Sequence, residues 1–148
     1  MNNIKQQYVL GFMFDEDKSR VALITKTKPD WQAGLKNGIG GKINDGELAY
    51  QAMVREFKEE TGVEVLYGWK FYCQLYSDKF DVMVYANTGD LTQLQTTTDE
   101  VVSVLDIKDI HRRKKELITN LPWLIEMALD KLNNNEFNMG VVNYHMMW

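Results

Sequence analysis

Residues 40–63, Gly-Gly-Lys-Ile-Asn-Asp-Gly-Glu-Leu-Ala-Tyr-Gln-Ala-Met-Val-Arg-Glu-Phe-Lys-Glu-Glu-Thr-Gly-Val, constrain this chain more than any other stretch. Two glycines make a bend, a helix is expected from about Glu47 to Glu60, and Gly62 is suited to end it. A helix turns about 100° per residue. With Glu56 at zero, Glu59 falls at about 300° and Glu60 at about 40°, so three carboxylates share one face. Ala49 and Ala52 continue that face with small side chains. Tyr50, Met53, Val54 and Phe57 form a separate apolar stripe for a core. Arg55 and Glu47 lie on the flank, about 80° apart, so Arg55 can pair with Glu47 and also with Glu59.

Three bare carboxylates at this spacing repel one another and add nothing to a helix. A hard dication removes the repulsion, and oxygen ligands are what Mg²⁺ prefers. A Glu-rich helix is more often a solvated face. That reading leaves the apolar stripe, the alanines and the glycine bend unexplained.

The rest of the chain reads as one domain, 1–148, in the order strands, helix, strands, helix. Residues 7–14 and 20–25 form an expected hairpin about the polar turn Asp15-Glu16-Asp17-Lys18, and 27–46 is loop-rich. Strands are expected at 64–76, 79–86 and 101–105, a short helix within 107–117, and a longer one at 121–133 with Pro122 in its first turn. This pattern is α/β (α+β), a sandwich with a mixed sheet.

The formal net charge is −4, which argues against stable nucleic-acid binding. Lys26-Thr27-Lys28 and Arg112-Arg113-Lys114-Lys115 are local basic clusters that meet phosphates or are solvated. No apolar run is long enough to cross a bilayer. The single cysteine, Cys73, sits in a strand-like run and reads as a buried, inert thiol. The expectation is a soluble, cytoplasmic protein.

Gly41, then Glu47 after five residues, then Arg55-Glu56-Phe57, Glu59-Glu60 and Gly62-Val63 after seven more, resembles the box of the Nudix hydrolases at every specified position. The chain is identified as a member of that family, of the MutT-like type. The resemblance implies an α/β/α sandwich with the box as loop, helix and loop. It also implies hydrolysis of a diphosphate bond in a nucleotide-type small molecule, with Mg²⁺ as cofactor and Mn²⁺ as a substitute. Carried onto this chain, Glu56, Glu59 and Glu60, with the Gly40 carbonyl, are the implied metal ligands. Glu47 and Arg55 hold that cluster in place. Gly41 and Lys42 are the implied phosphate contacts, although Lys42 also reads as a solvated loop residue. The general base is Glu56 or an acid outside the box, Asp99 or Glu100. The latter two also read as base-edge contacts or solvated residues.

The substrate is less constrained. Markers of the ADP-ribose, coenzyme A, NADH and dinucleoside-polyphosphate types are not evident. Residues 37–43 resemble the MutT type, which acts on nucleoside triphosphates and oxidised ones such as 8-oxo-dGTP. Nucleotide sugars, ADP-ribose, dinucleoside polyphosphates and binding without hydrolysis are the alternatives. Trp31, Trp123 and Tyr8 are candidates for stacking on a base. The apolar segment 137–148, which includes His145, has three open roles: an added strand, a cover for the cleft, or a homodimer interface.

Overall fold

The computed structural model describes residues 5–133 and 139–143. Its strands are β1 (Gln6–Phe14), β2 (Arg20–Thr25), β3 (Lys36–Asn37), β4 (Ile39–Lys42), β5 (Lys70–Tyr76), β6 (Phe80–Thr88), β7 (Val102–Asp106) and β8 (Gly140–Asn143). Its helices are α1 (Ala49–Thr61) and α2 (Leu121–Asn133), with single 3₁₀ turns at Leu91–Gln93, Ile107–Asp109 and Lys114–Glu116. The architecture is the expected α+β sandwich with a mixed sheet.

β1 organises the sheet. It pairs in parallel with β6 from Gln6↔Phe80 to Phe14↔Thr88, and antiparallel with β4 from Tyr8↔Lys42 to Gly11↔Ile39. Alternate residues of β1 face opposite ways, as the strand period requires. Val9 and Met13 join Met53 and Phe57 of α1 in one core. Leu10, Phe12 and Phe14 join Leu121, Leu124 and Ile125 of α2 in the other. The two helices thus cover opposite faces of the sheet. On the α2 side the buried Tyr72 hydroxyl donates to the Leu124 carbonyl at 2.8 Å.

The α1 stripe is buried at Met53 and Phe57, each worth about 1.5–3 kcal/mol of transfer free energy. Tyr50 is 36% exposed and donates from its hydroxyl to the Leu66 carbonyl at 3.0 Å. Gly62, at φ 78°, ends the helix in the left-handed conformation that glycine takes without strain, and its N–H returns to the Lys58 carbonyl. The helix begins at Ala49 rather than Glu47, because the Glu47 N–H bonds the Asn44 carbonyl at 3.0 Å in a preceding turn.

The expected β1–β2 hairpin forms but is short, paired at Phe14↔Val21, since β4 takes the same edge of β1 and β2 pairs onward with β3 and β7. Three expectations are corrected. The loop-rich 27–46 holds β3 and β4. Residues 64–69 are not strand: Gly68 lies at φ 92°, and the Trp69 indole N–H turns back to the Val65 carbonyl at 3.1 Å. The helix expected within 107–117 is two 3₁₀ turns, because the chain leaves to pair beside β3, with the Ile118 N–H on the Lys36 carbonyl at 3.0 Å.

Residues 140–143 answer one of the open roles for the C-terminal segment: they add β8 in parallel to β5. His145 and the other residues at 144–148, with Phe137 and Asn138, lie outside the described residues. Among the described residues, no helix is long and apolar enough to cross a membrane.

Candidate active site

The glycine bend and the acidic helix meet because β4 is pressed against β1. A Cβ on Gly40 would stand 1.9 Å from the Val9 carbonyl oxygen, so no other residue fits there without moving β4. A Cβ on Gly41 would stand 2.5 Å from the Glu56 carboxyl carbon. The missing side chain of Gly41 therefore lets the Glu56 carboxylate lie on the bend.

Arg55 holds this arrangement. Its Nε and Nη2 donate to Glu47 Oε2 and Oε1 at 2.8 and 2.9 Å, a two-point match between guanidinium and carboxylate. Nη1 donates to Glu56 Oε1 at 2.8 Å and lies 3.3 Å from Glu59 Oε2. Nη2 also donates to the Lys42 carbonyl at 2.8 Å. The pairing with Glu47 and Glu59 was expected from the helix wheel; the contacts to Glu56 and to the bend were not. These partners, the Glu47 hydrogen bonds foremost, hold the guanidinium well above its ordinary pKa. Hydrogen bonding from Arg55 depresses that of Glu47.

Glu56 behaves differently from Glu47. Burial raises its pKa, and repulsion from Glu59 and Glu47 adds to this, against the opposing pull of Arg55. Burial also raises that of Glu60, joined by repulsion from Glu100 and Glu56; Thr98 and Lys26 oppose it. The fold thus gathers negative charge that the protein only partly neutralises.

Glu100 reaches this cluster from across the fold. It is 7% exposed, and its carboxylate accepts from the Thr27 N–H at 2.9 Å and from Lys26 Nζ at 3.2 Å. Of the alternatives for Glu100, a residue loose in solvent is removed. Asp99 beside it is exposed. Lys26 thereby becomes an internal counter-charge rather than a solvated cation.

The carboxylates of α1 share a side of the helix but do not converge. Among the described residues, no three Asp, Glu, His or Cys side chains are gathered closely enough to hold an ion as they stand. Arg55 holds Glu56 and Glu59, and Thr98 Oγ1 donates to Glu60 Oε2 at 2.9 Å. The Glu59 side chain is 55% exposed and can swing inward at little cost.

Lys42 is exposed beside Gly41. Trp31 is 45% exposed in the turn after Pro29. Trp123 is not brought to the acidic cluster. It lies on α2, across the sheet from α1, and lines a cavity of about 460 Å³ with His111, Lys114 and Pro122 that shares no residue with the cluster. Tyr8 sits on β1 opposite Lys42 and packs edge-on against Phe80, with ring centroids 6.4 Å apart. Cys73 is buried and free, its thiol pushed up to about 11 by burial, as expected of an inert thiol.

Thr98 and the counter-charge role of Lys26 escaped the sequence reading. The signal available for Thr98 was the run Thr96-Thr97-Thr98, since hydroxyl residues in loops commonly bond nearby backbone. Nothing local marked its partner as Glu60.

Comparison with known proteins gives a consistent answer. The model of the NUDIX domain family matches residues 5–124. Among solved structures, the NUDIX domain of Shewanella oneidensis NrtR, complexed with ADP ribose, superposes with a TM-score of 0.75 at 20% identity, covering 88% of this chain and 90% of that one. A NUDIX hydrolase from Nitrosomonas europaea gives 0.74 at 15% identity, covering 97% and 82%. The mutator MutT protein of Bacillus halodurans gives 0.67 at 17% identity, covering 84% and 82%. No curated protein matches.

Proposed function

Because this chain belongs to the NUDIX family of hydrolases, we propose that it splits the diphosphate bond of a nucleoside triphosphate, including oxidised forms such as 8-oxo-dGTP, with Mg²⁺ as cofactor and Mn²⁺ as a substitute. The observation that carries this reading is the Glu56 carboxylate lying on the Gly40-Gly41 bend, clamped by Arg55, with Glu59 and Glu60 beside it. The donor set fits a hard dication: every group is an oxygen, and the excess of carboxylate charge lacks a matching cation. Glu56, Glu59 and Glu60, with the Gly40 carbonyl, would hold it. When bound, such an ion offsets charge on the phosphate oxygens and acidifies a coordinated water.

The remaining work falls to the chain itself. Arg55 fixes Glu56 and, through the Lys42 carbonyl, the bend. Gly41 leaves room for the Glu56 carboxylate against the bend, and the Lys42 ammonium meets a phosphate oxygen. In the absence of the ion, burial raises the pKa of Glu56, and Glu56 is the candidate base within the box. Glu100 already accepts from Thr27 and Lys26, which suits a charge-fixing role better than that of the base.

A panel of nucleotides assayed with and without Mg²⁺, with product identification, tests the reading. We expect metal-dependent turnover of nucleoside triphosphates, and Glu59→Gln to lower it by orders of magnitude with the melting temperature preserved. Wild-type rates in purified Glu59→Gln would remove Glu59 from the site. ADP-ribose is the second substrate to include, because the Shewanella NrtR domain of the same fold is complexed with it. We assign the protein to the cytoplasm, in keeping with its free thiol.

A further inference from the structure

Three consecutive threonines precede β7, and each hydroxyl has a different task. Thr96 Oγ1 accepts from the Val102 N–H at 3.0 Å, which fixes the loop to β7. Thr97 Oγ1 donates to the Glu59 carbonyl, one of the α1 carbonyls left without a helical partner. The Gln95 N–H on the Thr61 carbonyl at 3.0 Å ties the same loop to the helix end. Thr98 reaches a side chain instead.

The direction of the Thr98 contact is determined. A threonine hydroxyl has one hydrogen and two lone pairs. The Glu100 N–H donates to Thr98 Oγ1 at 3.0 Å, so one lone pair is taken and the hydrogen points at Glu60 Oε2, 2.9 Å away. Among the described residues, Glu60 Oε1 takes no hydrogen bond. One carboxylate oxygen is therefore pinned and the other left available. Without this bond, repulsion from Glu56 and Glu100 would turn the side chain outward, at the further cost of a rotamer to be re-fixed on binding.

We propose that Thr98 is a positioning residue for the divalent cation: its hydroxyl holds Glu60 so that Oε1 is presented to the ion, and thereby tightens ion binding. This rests on the metal reading of the preceding section. Thr98 is exposed, so its replacement leaves the core untouched.

The test is Mn²⁺ binding to the protein without substrate, counted by the electron paramagnetic resonance of free Mn²⁺. Removing a group that orients a metal ligand typically weakens affinity about 10–100-fold. Thr98→Ala should weaken Mn²⁺ binding about tenfold, and Thr98→Ser should restore it to within about threefold. Thr97→Ala should lower the melting temperature and leave Mn²⁺ affinity unchanged, because it loses only a helix-end bond. Wild-type affinity in Thr98→Ala overturns the inference, as does a serine variant as weak as the alanine one. If the wild-type protein takes up no Mn²⁺ at millimolar concentration, the functional reading itself falls and this inference with it.

Discussion

Replacing Arg55 with lysine keeps the charge and removes the fork, which isolates what the guanidinium geometry contributes. Lysine is a point charge that cannot match both Glu47 oxygens while also reaching Glu56 and the Lys42 carbonyl. At least two charge-assisted bonds are lost, each worth about 1.5–3 kcal/mol. The Arg55 and Glu47 side chains are only 27% and 15% exposed, so solvent does not fully replace them. Taking the low end, Arg55→Lys should cost about 3 kcal/mol. With a urea slope of about 2 kcal/mol/M, the midpoint falls by about 1.5 M. In a double-mutant cycle with Glu47→Gln, the coupling should be about 1–2 kcal/mol. Arg113 and Glu116 supply an internal control. They repeat the two-point geometry at 2.7 and 2.7 Å, but Glu116 is 47% exposed. The coupling there should be clearly weaker, because solvent screens an exposed pair. Should the two cycles give equal couplings, burial is not what makes the Arg55 clamp strong, and the account of the site given above is wrong.

Gly41→Ala places a methyl 2.5 Å from the Glu56 carboxyl carbon, and a displacement of about 1 Å at a reacting group can cost about 100-fold. Turnover should drop by about that factor while circular dichroism is unchanged; an active Gly41→Ala would separate Glu56 from the bend. Tyr72→Phe removes the buried bond to the Leu124 carbonyl and should cost about 1 kcal/mol, or about 2–4 °C in melting temperature. No change would mean that the hydroxyl is replaced by water or irrelevant. Burial raises the pKa of Asp15, but hydrogen bonds from Arg20 and Ser19 and one shared with Asp17 outweigh it, leaving about 2 against an ordinary 3.8. A depressed carboxylate stabilises the fold above its unfolded value, and that contribution is lost as pH falls from 3.8 through about 2. Asp15→Asn should therefore be less stable than wild type near neutrality, with the gap closing across that acid range in pH-dependent urea melts; a constant gap refutes the assignment.

What was legible in the sequence is what lies within one helical stretch. Arg55 and Glu59 are related by helix spacing, and Glu47 lies close enough before the helix for the same wheel to anticipate its pairing with Arg55. β4 stayed hidden because Gly40 and Gly41 carry none of the branched side chains that mark a strand; its pairing depends on Val9, more than 30 positions earlier. The opposite error arose at 64–69, where Val65, Leu66 and Tyr67 look like strand. Leu66 is 50% and Tyr67 83% exposed, because the positive φ of Gly68 turns the chain before β5 begins. Thr98 with Glu60, and Lys26 with Glu100, are contacts between residues 38 and 74 positions apart, and no local pattern encodes them. Trp123 looks available for stacking from its residue type, but its position is set by which face of the sheet α2 covers.

The pairing of β1 with β6 has a consequence for how the protein is made. Val9 positions Gly40, and Val9 lies on β1, whose other neighbour, β6, arrives only at residues 80–88. β1 must therefore wait with one edge unpaired until β6 has followed, although α1 can already cover one of its faces. Connections of this length close slowly, and the waiting segment is prone to stick to others of its kind. The acidic helix finds its packing partners on β1 early, but its cleft is complete only when Glu100 has emerged. Nascent chains halted before residue 80 should be helical at α1 and inert.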